Sequence, residues 1–136
     1  MSGRIAGNTM KNHSLELAYC IGKKAWHALM EEVYTTPKPG LVDLYSCGAH
    51  TDMDVSTFEK SARALYPYFV KMAASGYGMQ IAPDELFEEI RKTGVEAEKA
   101  MYRATDGVNT HKGLLFTTGI FCAAAGRCVR EYGKIT

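Results

Sequence analysis

The chain has 136 residues, enough for one domain that buries roughly two thirds of its unfolded surface. Hydrophobic residues make up 46% of it and charged residues 23%, close to the average of soluble globular proteins. The net charge of +1 creates no overall field toward nucleic acid or an anionic membrane, so neither is an expected partner. Any site for an anion must therefore be local.

The cysteines indicate neither zinc nor disulfide bonds. None of the four belongs to the closely spaced pairs typical of zinc sites. They are Cys20, Cys47, Cys122 and Cys128. The first apolar-rich segment carries Glu16 and Lys23, unlike a secretory signal, and the uncharged run from Gly113 to Gly126 is shorter than the roughly 20 residues that span a bilayer. We therefore predict reduced cysteines in a cytoplasmic protein.

A flexible amino-terminal segment, residues 1–12, is expected ahead of a helical domain that covers residues 13–136. The first helix is predicted from Ser14 to about Tyr34, because polar residues recur at helical spacing along a narrow stripe. The other faces are apolar, which predicts burial on several sides. The stripe consists of Glu16, Cys20, Lys23, His27 and Glu31.

A long polar loop is predicted after the first helix. Pro37 and Pro39 stop the helix, and helical spacing resumes only after about Val55. Loops of this length are uncommon inside a compact domain and are usually functional. The loop contains Thr36-Pro37-Lys38-Pro39-Gly40-Leu41-Val42-Asp43 and then His50-Thr51-Asp52-Met53-Asp54.

The second and third helices have clear apolar faces. Ser56 and Glu59 have the spacing of a capping box and open the second helix, which Gly76 and Gly78 end. The third begins at Pro83, which suits a first helical turn, and extends to about Ala104. The two core faces are Phe58, Ala62, Leu65, Phe69 and Met72, then Leu86, Ile90, Gly94, Ala97 and Met101.

A fourth helix is predicted from the 107–113 loop to about Tyr132. Small residues along it permit close contact with another helix. They are Gly119, Ala123, Ala124 and Gly126. No segment alternates with period two for long enough to indicate a strand. The predicted fold is all-α, a bundle of about four main helices joined by long polar loops.

The most informative segment is Gly107-Val108-Asn109-Thr110-His111-Lys112-Gly113. It combines an amide, a hydroxyl, an imidazole and an ammonium group between two glycines, which a loop that only turns the chain does not require. Backbone amides at a helix start with an adjacent ammonium suit a phosphate, so Lys112 and Lys38 are candidate phosphate ligands. The alternative is that both lysines are solvated surface residues.

Carboxylates in the same loops are candidate Mg²⁺ ligands, which would accompany a nucleotide triphosphate. Asp43, Asp52 and Asp54 lie within twelve residues, and the third helix adds Glu98. The alternative is structural: Asp54 is favoured as a helix cap, and Asp43 and Asp52 could hydrogen-bond within the loop. For Asp52, beside His50, we favour a functional role.

Two histidines lie in the polar loops. His50 and His111 are candidates for acid–base catalysis because histidine titrates near neutral pH. Either could instead be a hydrogen-bonded structural residue. Asn109 could bind a ribose hydroxyl or a base edge, or could adopt a left-handed turn conformation. The residues alone thus predict a helical protein with a polar site for a phosphorylated ligand.

Several motifs in order resemble the triphosphoribosyl-dephospho-coenzyme A synthase family. Its members carry S/T-P-K-P-G-L-V-D, then G-A/S-H-x-D-M, then E-x-x-M-x-x-A-T-x-G-V-N-T-H-K-G. The matching segments are Thr36 to Asp43, Gly48 to Met53, and Glu98 to Gly113, and the resemblance covers most of residues 25–126.

The resemblance implies an all-α transferase that uses ATP, with Mg²⁺, and 3′-dephospho-coenzyme A. Adenine leaves, and the product is the precursor of the acyl carrier prosthetic group of citrate lyase or malonate decarboxylase. On this basis Lys38 and Lys112 would hold phosphates, and His50 or His111 would transfer protons. Asp43, Asp52 and Glu98 would serve the metal or the sugar, with Asp52 also catalytic. Arg103, Asn109 and Thr110 would complete the substrate site.

Members of that family are roughly twice as long as this chain, which resembles their amino-terminal half. We therefore expect a need for the missing second half or for self-association, with activity of the chain alone in question. Two other readings stay open: a metal-dependent helical hydrolase of nucleotides or ADP-ribosyl bonds, and a non-catalytic helical binding module.

Overall fold

The computed structural model describes the backbone of residues 2–34 and 54–134, and the side chains of residues 14–34 and 54–134. Its elements in chain order are α1 (Ser2–Tyr34), α2 (Val55–Gly78), α3 (Pro83–Ala104) and α4 (Lys112–Tyr132). Within these ranges the chain forms no strand, and none of the helices has the length and apolar character needed to cross a bilayer. The predicted all-α class is confirmed.

Helix α2 is the centre of the bundle. It packs against α1, α3 and α4, whereas α1 and α3 do not touch each other within the described ranges. Leu65, Phe69 and Met72 of α2 are fully buried and lie on the face that the sequence predicted. Core residues from the other helices surround them, including Leu29, Ile90, Met101, Leu115 and Cys122.

Two predictions for the first helix differ from the structure. The backbone of α1 begins at Ser2, well before Ser14; no proline interrupts that stretch, and extending an existing helix is far easier than nucleating one. Burial is confined to one stripe, because α1 contacts only α2 and α4 in the described structure. Leu15 and Tyr19, on the faces outside that stripe, are exposed.

The cap of α2 is Asp54 and not Ser56. Asp54 has extended backbone geometry, and its carboxylate accepts hydrogen bonds from the backbone amide and hydroxyl of Thr57 at 2.8 and 2.9 Å. Glu59 does not close a capping box, since its carboxylate accepts from the hydroxyl of Tyr34 at the end of α1. The alternative that favoured Asp54 as a cap is confirmed.

Glycines bring α2 and α4 into close contact. A Cβ added to Gly76 would lie 1.9 Å from the carbonyl oxygen of Ala123, and one added to Gly126 would lie 2.3 Å from that of Ala73. Gly76 therefore marks a helix crossing and does not end α2, which continues to Gly78. The expectation that small residues of the fourth helix permit close approach is confirmed at Gly126.

Helices α3 and α4 match their predicted bounds. All five residues of the predicted α3 core face are buried. The connections around α3 are short, residues 79–82 before it and 105–111 after it, so the prediction of long loops is wrong for these two. The short second connection holds the polar segment tightly between α3 and α4.

Candidate functional site

The turn between α3 and α4 reverses the chain through two residues with left-handed backbone geometry. Asp106 has φ 54° and Gly107 has φ 89°. The amide of Gly107 donates to the carbonyl oxygen of Tyr102 at 2.8 Å, a bond that closes the end of α3. Asn109 is not in this conformation, so the reading of Asn109 as a left-handed turn residue is wrong. Its side-chain oxygen instead accepts from the backbone amide of Lys112.

Thr105 fixes the first half of the turn. Its buried hydroxyl lies 2.8 Å from the carbonyl oxygen of Met101 and 2.7 Å from that of Val108. The first contact is to α3 and the second reaches across the turn. The path of the chain into Asn109 is thus set by a side chain that solvent does not reach.

His111 lies in the interior, where α2, α3 and α4 meet. Its side chain is 1% exposed. Its Nδ1 is 2.7 Å from the hydroxyl oxygen of Ser61 on α2, and its ring packs edge to face with Phe58, 4.9 Å between centroids. Its backbone amide points to the sulfur of Met101 on α3 at 3.3 Å. The same Ser61 oxygen accepts from the hydroxyl of Thr110 at 2.5 Å.

Burial lowers the pKa of His111 to about 4 from its usual 6.5, so the ring is neutral near pH 7. Its Nε2 is buried and has no hydrogen-bond partner in the part of the chain that the structure describes. A weak base away from solvent is a poor proton carrier, which favours a positioning role for His111 over direct acid–base work. The catalytic role predicted for it stays a prediction.

Lys112 and Glu98 form the exposed rim beside this buried group. The Lys112 ammonium lies 3.4 Å from a Glu98 carboxylate oxygen, with the lysine side chain 54% exposed and the glutamate side chain 22% exposed. Lys112 is the first residue of α4, and its amide donates to the side-chain oxygen of Asn109 at 3.3 Å. The structure thus places three of the predicted site residues on this rim, one each from α3, the connection and the start of α4, next to Thr110 and His111.

The first turn of α4 has further donors. Amides at the first positions of a helix have no acceptor within the helix. The Leu115 amide is the first to find one, the carbonyl oxygen of His111 at 2.6 Å. The amides of Gly113 and Leu114 therefore add to the Lys112 ammonium at the positive end of the helix dipole. An ammonium beside free amides is the arrangement that binds phosphate oxygens.

The other predicted site residues are not part of this group. Arg103 is exposed in the last turn of α3. Lys38, Asp43, His50 and Asp52 lie outside the described residues, so whether the two polar loops meet stays a prediction. No group of three metal-binding side chains exists among the described residues. Of the predicted carboxylates, the structure places Glu98 on the rim and Asp54 at the cap of α2.

Ser61 is the site residue that the sequence reading missed. It is fully buried and bonds two consecutive loop residues, Thr110 and His111. A signal was present: Ser61 is three residues after Phe58 and four before Leu65, so a polar side chain falls on the apolar face of α2. Because buried hydroxyls are normally hydrogen-bonded, a hydrogen-bond partner for Ser61 could have been expected from that position.

Comparison with known proteins identifies a matching family but no matching solved structure. The model of the ATP:dephospho-CoA triphosphoribosyl transferase family matches residues 18–136. The probable 2-(5''-triphosphoribosyl)-3'-dephosphocoenzyme-A synthase of Photobacterium profundum is 47% identical over 113 residues, 82% of this chain and 36% of that protein. The synthase of the same description from Vibrio cholerae is 43% identical over 122 residues, 89% of this chain and 39% of its own length. No solved structure matches.

A third relative, the protein CitXG of Haemophilus influenzae, is 43% identical over 89% of this chain and 26% of its own length. The chain thus spans well under half the length of these relatives, a smaller share than the half that the resemblance implied. The matched region nevertheless includes α2, α3, α4 and both polar loops. The chain belongs to the ATP:dephospho-CoA triphosphoribosyl transferase family.

Proposed function

We propose that this chain carries part of the nucleotide site of a transferase that makes 2'-(5''-triphosphoribosyl)-3'-dephospho-CoA. ATP and 3'-dephospho-CoA would be the substrates and adenine the leaving group. The product would be the precursor of the acyl carrier prosthetic group of citrate lyase or malonate decarboxylase. The family match and the printed names of the relatives support this assignment. An ATP-dependent role also fits the predicted cytoplasmic location.

The observation that carries the proposal is the rim formed by Lys112, Glu98 and Asn109 at the start of α4. Lys112 and the amides of the first helical turn, which have no acceptor within the helix, supply positive charge and donors for a triphosphate. Binding a phosphate there would draw the ammonium away from the Glu98 carboxylate, since both acceptors compete for one cation. Glu98 would then be free for a second role.

Glu98 would be one protein ligand of the Mg²⁺ that arrives with ATP. Mg²⁺ is commonly held by one or two carboxylates together with substrate phosphates, so a single placed carboxylate fits this donor set. Bound there, the ion would neutralise charge on the triphosphate. We propose Asp43 and Asp52 as the other carboxylates and Lys38 as a second phosphate ligand, with His50 the remaining candidate for proton transfer.

The chemistry explains the need for carboxylates. Displacing adenine from the anomeric carbon passes through a cation-like sugar, which a nearby carboxylate stabilises, as in glycoside hydrolysis. The attacking hydroxyl of 3'-dephospho-CoA must lose a proton and the departing adenine gains from receiving one. Adenine release that requires 3'-dephospho-CoA would support the transferase; release in its absence would favour the hydrolase alternative.

Calorimetric titration with ATP and Mg²⁺ tests the phosphate rim directly. We expect the unmodified chain to bind and the Lys112→Ala variant to bind about tenfold or more weakly, because a charge-assisted contact is lost. The control is Lys99→Ala, which removes the same charge from an exposed lysine that pairs with Glu96 at 3.3 Å on α3.

Lys99→Ala should leave ATP binding unchanged. Equal affinities of the Lys112→Ala and Lys99→Ala variants would count against the rim as the phosphate site. Failure of the unmodified chain to bind ATP with Mg²⁺ would reject the proposal itself and favour a non-catalytic module.

A further inference from the structure

We propose that Ser61 is a positioning residue for the phosphate rim: its buried hydroxyl bonds Thr110 and His111 together and thereby fixes where α4 begins and where Lys112 stands. This inference rests on the proposed function. Ser61 belongs to α2, so a residue far away in sequence would control the geometry of the loop.

Ser61 makes the short contacts between the loop and the rest of the bundle. Its oxygen lies 2.5 Å from the hydroxyl of Thr110 and 2.7 Å from Nδ1 of His111. The other contacts of the segment are longer: the His111 amide reaches the Met101 sulfur at 3.3 Å, a weak acceptor, and the Lys112 amide reaches Asn109 at 3.3 Å within the loop. Ser61 therefore supplies the hydrogen bonds that link Thr110 and His111 to α2, beside the ring contact of His111 with Phe58.

Ser61 joins two hydrogen bonds at one oxygen. It accepts from the hydroxyl of Thr110 and shares a hydrogen bond with Nδ1 of His111, whose direction is set by the tautomer of the ring. In either tautomer the Nδ1 resonance reports the Ser61 contact, readable without any ligand.

Fixing this turn matters for a triphosphate because binding depends on cations held at the correct separation. Lysine is a flexible chain, so the position of its backbone decides where its ammonium can be placed without further loss of entropy. With Ser61 in place, the start of α4 is pre-organised toward Glu98 on α3. Without it, Thr110 and His111 lose their hydrogen bonds to α2, and the ring contact of His111 with Phe58 remains.

The test compares variants that remove or keep the hydroxyls. Ser61→Ala and Thr110→Val remove one each, Thr110→Ser keeps the hydroxyl, and Thr93→Val is the matched control. Thr93 is also buried, but its hydroxyl bonds only the carbonyl oxygen of Glu89 in its own helix, at 3.2 Å. Each full chain is titrated with inorganic tripolyphosphate and Mg²⁺, and the ring nitrogens of His111 are observed by ¹⁵N NMR.

We expect Ser61→Ala and Thr110→Val to weaken tripolyphosphate binding by about five- to tenfold, the effect of one lost buried hydrogen bond. Thr93→Val should bind within about twofold of the unmodified chain. The Nδ1 resonance of His111 should indicate a hydrogen-bonded nitrogen in the unmodified chain and in Thr110→Ser, and should shift in Ser61→Ala, with no shift in Thr93→Val.

The outcomes separate this inference from the proposed function. Unchanged binding by both Ser61→Ala and Thr110→Val, with binding by the unmodified chain intact, overturns the positioning role alone. A failure of the unmodified chain to bind tripolyphosphate overturns both, because no site would remain to be positioned. If Ser61→Ala does not fold, the Nδ1 resonance of His111 in Thr110→Val decides, since Thr110 is only half-buried and this signal is read without ligand: a shift supports the linked hydrogen bonds and an unchanged signal overturns them.

Discussion

His111 combines two properties that rarely occur together: an ionisable ring and almost complete burial. Desolvation disfavours the charged imidazolium, which explains why the pKa is lowered to about 4. The contact to Ser61 holds the neutral ring and offers no negative charge to compensate protonation. The residue therefore makes the stability of the fold depend on pH.

The unfolded chain should take up a proton on His111 below about pH 6.5, whereas the folded chain should do so only near pH 4. The contribution of this residue to stability is therefore complete above pH 6.5 and is lost as the pH falls from 6.5 to about 4. The loss should approach about 3 kcal/mol at pH 4. Urea unfolding at a series of pH values measures it.

The comparison is with His111→Gln, which has no titrating ring. His111→Gln should flatten the dependence of unfolding free energy on pH between 4 and 6.5, whatever its effect at pH 7. Parallel curves for the two proteins would show that His111 titrates normally in the folded state.

Asp54 and Ser56 provide a second test at the residue scale. The hydrogen bonds from the backbone amide and hydroxyl of Thr57 lower the pKa of Asp54 and satisfy a free donor at the start of α2. Asp54→Ala should therefore lower the thermal unfolding midpoint by a few degrees at neutral pH. Ser56→Ala should leave the midpoint almost unchanged. A larger decrease for Ser56→Ala than for Asp54→Ala would instead support the capping box that the spacing suggested.

At the scale of elements, the contact between α2 and α4 depends on two glycines. Gly76→Ala places a methyl group 1.9 Å from the Ala123 carbonyl oxygen, and Gly126→Ala places one 2.3 Å from that of Ala73. Both partners are helix backbone, so relief requires the helices to separate. We expect each change to reduce the free energy of unfolding by about 1–3 kcal/mol.

The control for the crossing is Gly78→Ala. A Cβ at Gly78, at the end of the same helix, meets nothing within 4 Å. Alanine there should change the unfolding free energy by less than about 0.5 kcal/mol. Urea unfolding of the three variants measures the difference. Because alanine has the higher helix propensity, an unchanged or increased free energy of unfolding for Gly76→Ala and Gly126→Ala would contradict close packing at the crossing.

The sequence predicted those elements in which local signals and packing agree. Helix α3 has a proline at its start, acidic residues in its first turn and one continuous apolar face, and it was placed correctly at both ends. The predicted burial of α1 was too extensive because its apolar residues cover more faces than α2 and α4 contact. The number of neighbouring helices cannot be predicted from local sequence. Gly76 resembled a helix end because a crossing glycine and a terminal glycine look alike in a sequence.

The same distinction applies to the site. Lys112, Asn109 and Glu98 could be selected from their chemistry, and the structure places them on one rim. Their dependence on Ser61 could not be derived, because it follows from how α2 faces the loop and not from spacing within either segment. His111 shows the same effect of tertiary packing: the sequence places it in a loop, whereas the structure places it in the core.

At the scale of the whole molecule, the arrangement around α2 places two phenylalanines at opposite extremes of exposure. Phe69 lies on the central helix and is 0% exposed, whereas Phe121 lies on the outer face of α4 and is 68% exposed. An apolar groove lies on each side of α4. One is between Phe87 of α3 and Ile120 of α4, and the other faces Ala28 of α1. Stability should therefore depend on the centre and hardly at all on that outer face.

Phe69→Ala and Phe121→Ala make the same chemical change at the two places. Phe69→Ala leaves a cavity where three helices meet and should reduce the free energy of unfolding by about 3–5 kcal/mol. Phe121→Ala removes a side chain already in solvent and should change it by less than about 0.5 kcal/mol. Urea unfolding at several protein concentrations measures both. A large loss for Phe121→Ala that grows with protein concentration would mean that the outer face of α4 is covered by a second copy in solution.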